Sequence, residues 1–197
     1  MGVDTAAPAR HTGGPSAWVL RFAHLVPVGA RVLDLASGTG RHARLFAQRG
    51  CKVVAADREV ALLAPLHDVP NVTTEVVDLE TGHWPFSSQR FDAIVVTNYL
   101  HRPLFPHLAA ALAPGGALLY ETFALGNEAF GRPANPDFLL QPGELLEVFG
   151  RLTTVVAFEQ GKVHAEDRDA VVQRLAAVGR ARSWPPALES AADAALH

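Results

Sequence analysis

Apolar positions along this chain alternate between two rhythms. Short runs rich in Val, Leu, Ile and Ala read as buried strands, and stretches with apolar residues three or four apart read as helices. Pro15 opens a helical stretch in which Trp18, Val19, Phe22 and Val26 share a face, and Pro27 to Gly29 end it. Residues 30–35 are the first strand, and 40–49 a helix stopped by Gly50. Residues 51–56 are the second strand, 58–66 a short helix cut by Pro65, and 72–77 the third strand. Residues 91–96, FDAIVV, make the fourth strand, and Leu104, Phe105, Leu108 and Leu112 mark a helix over about 102–113. Pro114-Gly115-Gly116 leads into a fifth strand at 116–122, and a helix follows over 141–149. Residues 152–158 and 169–178 are two final strands joined without a helix. Repeated strand–helix units force a parallel sheet with right-handed crossovers. The fold class is therefore α/β. Its seven-stranded sheet has the expected order 3-2-1-4-5-7-6, parallel except for an antiparallel strand 7. Residues 1–14 are expected to be a flexible N-terminal segment, 15–179 one domain, and 180–197 an Ala-rich tail.

The chemistry gathers where the first strand meets its helix, in RVLDLASGTGRHAR at 31–44. Gly38 and Gly40 carry no side chains, so a ligand can lie on the backbone there. The free N–H groups of the next helix can hold an anion. Asp34 closes the strand. Asp57, 19 residues after Gly38, follows the second strand, where a carboxylate can take both hydroxyls of a ribose. Asp78 and Leu79 close the third strand. The carboxylate there can accept from an adenine amino group, and Leu79 can bracket the ring; the bland alternative is a turn-capping Asp ahead of Thr81-Gly82.

These residues resemble motif I of the class I S-adenosylmethionine-dependent methyltransferases, an acidic residue followed by glycines. Ala36 stands where many members have the first glycine. The resemblance implies a Rossmann-like three-layer sandwich, S-adenosyl-L-methionine as cofactor, and transfer of a methyl group to a small-molecule substrate by in-line displacement. The cofactor-binding residues it implies are Asp34, Ala36, Ser37, Gly38, Gly40, Arg41, Asp57, Arg58, Asp78, Leu79 and Asn98. Residues 91–100 look like motif IV, whose carboxyl end points at the transferred methyl. Asn98 and Tyr99 are candidates for polar contacts near the sulfonium, and His101 for general base, since its unperturbed pKa lies near neutrality. A solvent-facing His at a helix start is the plainer reading of His101. In such enzymes an N-terminal helix often covers the cofactor, so Trp18 and Phe22 are either ligand contacts or core. The long connection 121–142, rich in Gly, Pro, Asn and Phe, is the expected substrate side, with Glu128 and Arg132 as candidate polar contacts or as partners of each other. Its layout loosely resembles the small bacterial tellurite-resistance and thiopurine group, which acts on small, soft nucleophiles.

Composition narrows the alternatives. The 197 residues suit one domain, and 49% hydrophobic content suits a globular one. Seventeen Lys and Arg against 20 Asp and Glu give −3, which argues against a broad nucleic-acid footprint. The strand after 91 also lacks the N-P-P-Y of amino-methylating DNA enzymes. Gly38 to Ala43 fits the G-x-G-x-x-A dinucleotide form, so an NAD(P)-dependent oxidoreductase is the rival reading. Asp34 opposes it, because a carboxylate there would repel a pyrophosphate but suits a ligand carrying an ammonium group. A cofactor-binding protein without catalysis is the other rival. Scattered His101, His107 and His164 suggest no metal site. A single Cys51, no basic-apolar leader, no lipidation signal and no membrane-length apolar run make a cytoplasmic location the expectation.

Overall fold

The computed structural model describes residues 13–164 and 169–188. Most of the expected flexible segment 1–14 and the end of the tail lie outside the described residues. The elements are α1 (Ala17–Phe22), β1 (Arg31–Leu35), α2 (Arg41–Gln48), β2 (Lys52–Asp57), α3 (Val60–Leu63), β3 (Val72–Val76), β4 (Phe91–Thr97), α4 (Phe105–Ala111), β5 (Leu112–Phe123), α5 (Glu144–Gly150), β6 (Thr153–His164) and β7 (Asp169–Gly179). One sheet holds all seven strands in the order β3-β2-β1-β4-β5-β7-β6. The pairings from β3 to β5 are parallel, and β7 runs antiparallel to both β5 and β6. The expected topology and its reversed last strand are both present.

Two cores cover the two faces. Val32, Val53, Ala55, Val95 and Leu119 point to the side on which Trp18, Phe22, Phe46, Leu63 and Leu66 pack. Leu33, Ile94, Val96, Leu118 and Tyr120 point to the side of Leu108, Leu145 and Phe149. Central strands buried on both faces read as continuous apolar runs, which is why they were legible. Trp18 and Phe22 are 2% and 1% exposed, and the Trp18 indole N–H donates to the Leu175 carbonyl at 3.3 Å. Both are core residues, the plainer of the two sequence readings.

Three segments differ from expectation. The helix expected over 102–113 starts as a 3-10 turn, and α4 stops at Ala111, so the chain is already extended at Leu112. That lengthens β5 backwards, with a register shift opposite Phe91–Ala93. β6 continues to His164 rather than ending at 158, because β7 pairs with it throughout although its outer half, Glu159–Lys162, is exposed. A polar, half-paired edge carries no alternation to read. Just beyond β7, Ala181 and Arg182 are tied to the body. The Ala181 N–H donates to Pro114 O, and the Arg182 guanidinium donates to Leu25 O and Gly115 O.

The Pro114 turn packs hard against the end of β7. A Cβ on Gly179 would sit inside contact distance of the Pro114 carbonyl, and the obstruction is backbone. Gly179→Ala should therefore lower stability by about 1–3 kcal/mol, the range for overpacking a fixed site. Urea unfolding followed by far-UV circular dichroism measures it, and an unchanged midpoint would mean that the turn yields freely.

Candidate functional site

The site begins where β1 ends. Ala36, Gly38 and Gly40 all adopt positive φ, at 52°, 55° and 75°. Two glycines meet this at little cost. Ala36 meets it with a Cβ, a strain of roughly 1 kcal/mol, which gives the physical reason for a glycine at that position elsewhere. The two glycines serve different ends. A Cβ on Gly40 would overlap the Leu66 side chain, so this glycine lets α2 pack. A Cβ on Gly38 would meet nothing within 4 Å, so here the bare backbone faces open space.

Two carboxylates set the turn. Asp57 Oδ2 accepts from the Gly38 N–H at 2.8 Å, and Oδ1 accepts from the Glu59 N–H at 3.0 Å. Asp34, 1% exposed, accepts from the Ala43 N–H in the first turn of α2 at 2.8 Å. Burial raises the Asp34 carboxyl from 3.8 to about 8, against the Ala43 hydrogen bond and the nearby Arg41, which lower it. Arg41 is half-buried and lies in the field of Glu121 and Asp34; its guanidinium donates to Gly14 O at 3.4 Å. Among the described residues the buried Ser37 Oγ has no hydrogen-bond partner, an orphan hydroxyl within the turn.

Behind the turn lies a set of residues absent from the sequence-based list. His42 is 1% exposed, Glu121 9% and Ser16 9%. The Ser16 N–H donates to His42 Nε2 at 3.1 Å, and Ser16 Oγ donates to Glu121 Oε1 at 3.1 Å. Glu121 Oε2 lies 2.6 Å from Arg174 Nε. The signal for Glu121 was an acidic residue inside the apolar run LLYETF; for His42 it was a ring beside the glycines on a helix face otherwise apolar.

The third-strand pair splits. Asp78 is exposed and its Oδ1 accepts from the Glu80 N–H at 2.9 Å, so it caps the turn that follows. Leu79 is 5% exposed and its side chain joins the core, leaving only its backbone to border a ligand. Arg58 is exposed and lies 3.7 Å from Glu59. After β4, Asn98 takes a positive φ of 55° and its N–H donates to Glu121 O at 2.8 Å. Burial pushes the Tyr99 phenol well up, and the Glu80 and Asp78 carboxylates push it further. Tyr99 thus belongs to the Asp57–Asp78 end of the site. His101, half-buried, precedes the 3-10 turn Arg102–Leu104.

The connection after β5 is bolted in place. Asn127, 1% exposed, donates to Pro133 O at 3.0 Å and accepts from the Val171 N–H at 3.2 Å. Arg102 makes a bidentate pair with Glu144 at 2.7 and 2.9 Å and donates to Asp137 O and Leu139 O. Glu128 Oε2 accepts from the Gly126 N–H at 2.8 Å, a local bond that holds the start of the turn.

Comparison with known proteins places this geometry. Residues 32–116 match the family model described as Methyltransferase domain. The chain is 39% identical over 101 residues to trans-aconitate 2-methyltransferase of Variovorax paradoxus, covering 47% of this chain and 38% of that protein. TehB of Haemophilus influenzae superposes with a TM-score of 0.67 at 20% identity, over 83% of this chain and 61% of that one. The 1,6-didemethyltoxoflavin-N1-methyltransferase of Burkholderia thailandensis, solved with its acceptor and S-adenosylhomocysteine, gives 0.59 at 22% identity, over 82% and 76%. Residues 32–116 thus carry a methyltransferase domain, and the fold is that of the class I methyltransferases. S-adenosyl-L-methionine is the cofactor of that class. Among the described residues no helix is long and apolar enough to cross a membrane.

The residues present fit such a cofactor. Among the described residues the domain offers open backbone at Gly38, a buried acid without a bonded cation at Asp34, an orphan hydroxyl at Ser37 and a fixed carboxylate at Asp57. Titration of the ligand-free domain should expose the buried acid. Folded Asp34 keeps its proton up to about 8, whereas the unfolded carboxyl loses it near 3.8. Between these values the folded state binds more protons, so stability falls as pH rises. His42 works in the opposite sense: burial lowers it from 6.5 to about 3, so it removes stability as pH falls through that window. The two slopes oppose each other below pH 6.5, and only that of Asp34 remains between 6.5 and 8. The urea midpoint should drop across that upper window in the parent and stay flat in Asp34→Asn.

Proposed function

We propose that this domain binds S-adenosyl-L-methionine over the Gly38 turn and transfers its methyl group to a small-molecule acceptor. The chain spans well under two thirds of the length of the trans-aconitate enzyme it matches. The observation that carries the reading is the turn itself, with positive φ at Gly38, open space where its Cβ would be, and its N–H held by Asp57. A pyrophosphate would bring buried Asp34 no cation, whereas an ammonium group would draw off its proton and pair with the carboxylate, which favours an amino-acid-bearing cofactor over a dinucleotide.

In this assignment each Asp57 oxygen spends one lone pair on a backbone N–H and has another for a ribose hydroxyl. Asp34 lies in wait for the cofactor's ammonium group, Asp78 and the Leu79 backbone border the adenine, and Ser37 and Arg41 serve the methionine portion. Bound there, the cofactor would supply a methyl group on a sulfonium, an electrophilic carbon with a neutral thioether as its leaving group. The protein's task is to hold acceptor, carbon and sulfur in line. Asn98 and His101, both at the carboxyl end of β4, border the reacting end, Tyr99 lies toward the Asp57–Asp78 end, and the Asn127-bolted connection forms the acceptor's far wall. The acceptor is a small molecule, in keeping with the trans-aconitate and 1,6-didemethyltoxoflavin named for two similar enzymes.

Two substitutions test the assignment. Gly38→Ala puts a methyl group into the open space; S-adenosylhomocysteine affinity by calorimetry should fall at least about tenfold, while stability drops by only about 1 kcal/mol. Equal affinity would remove the cofactor from this turn. His101→Asn should leave that affinity intact and lower turnover roughly a hundredfold with a hydroxyl or amine acceptor, whose proton needs a base. Full turnover with such an acceptor would clear His101 of that role.

A further inference from the structure

His42 stands at the junction of three elements. It is the second residue of α2, next to Arg41 and to Ala43, whose N–H Asp34 holds. Its Nε2 accepts from the Ser16 N–H, so that nitrogen carries no proton and the ring proton belongs to Nδ1. Nδ1 lies 3.4 Å from Thr97 Oγ1 at the end of β4 and 4.0 Å from Asp34 Oδ1. Ser16 is the N-cap of α1, its Oγ accepting from the Trp18 and Val19 N–H groups at 3.2 and 3.4 Å. One ring therefore touches the cap of α1, the end of β4 and the helix that carries the glycine turn. It is shut away from solvent, and the methyl-transfer chemistry above has no step for it.

We propose that His42 is a positioning residue that registers the start of α1 against the glycine turn, so that the turn keeps its ligand-binding shape only while α1 is docked. The proposal rests on the cofactor assignment above. Its expected signature is a loss of cofactor affinity with the chemical step preserved, because His42 acts through the turn.

Calorimetry with S-adenosylhomocysteine on the full chain, together with amide hydrogen exchange of the ligand-free protein, tests it. His42→Leu keeps most of the volume and removes both bonds. It should bind about tenfold or more weakly, with faster exchange over Trp18–Leu25, as befits a buried N–H left without its acceptor. His42→Gln again offers a donor and an acceptor and should recover affinity to within about threefold. At saturating cofactor, kcat should stay within about threefold of the parent in both variants. Thr97→Val deletes only the hydroxyl partner and should show the same signature more weakly, which keeps the test open if His42→Leu does not fold. Parental affinity in His42→Leu, or equal losses in the Leu and Gln variants, would overturn the proposal. A parent that binds no S-adenosylhomocysteine defeats the cofactor assignment instead, and unchanged exchange over Trp18–Leu25 in His42→Leu then overturns the docking role independently.

Discussion

The structure depends on how the backbone N–H groups of one turn find acceptors. Between β1 and α2 the chain leaves the sheet, takes three positive-φ steps and starts a helix whose first amides have no helical partner. Two carboxylates take up this demand: Asp57 reaches Gly38 from the neighbouring strand, and Asp34 reaches Ala43 from the strand just ended. Both acids sit where the resemblance expected ligand contacts, and both are structural before any ligand arrives. A carboxylate oxygen has two lone pairs, so the roles are compatible. The ribose partner proposed for Asp57 would find an oxygen already fixed in direction, with no rotamer entropy left to lose.

Much of this was legible because the central strands β1 and β4 are largely buried on both faces, and because Gly50 precedes β2 and Pro70 precedes β3. Gly38, Gly40, Asp34 and Asp57 could be read at once, since only a turn needing positive φ next to an acid explains that spacing. The pair at β3 shows the limit. Asp78 and Leu79 matched a position, but the sequence left the adenine and turn-capping roles of Asp78 both open and could not say that the Leu79 side chain turns into the core. The partners Ser16 and Glu121 were less legible still, because 105 residues separate them and their bond exists only once β5 lies next to β4 and α1 closes over the edge. Local rules see local acceptors. A contact made by topology leaves as its trace only a polar residue in an apolar run.

That trace leads from the site to the far side of the sheet. Glu121 on β5, Arg174 on β7 and Glu159 on β6 are cross-strand neighbours, with N···O distances of 2.6 and 3.6 Å, and Arg21 of α1 closes the row on Glu159 at 2.9 Å. The Arg21–Glu159 end is open to solvent, where such a pair contributes little. The Glu121 end is buried, where removing one partner strands a charge. The row is therefore stiff at the site and loose at the rim. Arg174 also lies 6.0 Å over the Trp18 ring, so the same cation that neutralises Glu121 packs against the helix whose cap Glu121 holds through Ser16. Helix α1 is six residues long, too short to persist without tertiary contacts. Its place is set by Trp18 and Phe22 in the core and by the polar cap at Ser16. The apolar contacts give it most of its affinity for the sheet but little directional register, whereas the cap bonds to His42 and Glu121 fix where its first turn lies over the carboxyl ends of β4 and β5. In a helix held in this way a lost cap bond costs register, whereas a lost methylene group costs affinity for the sheet.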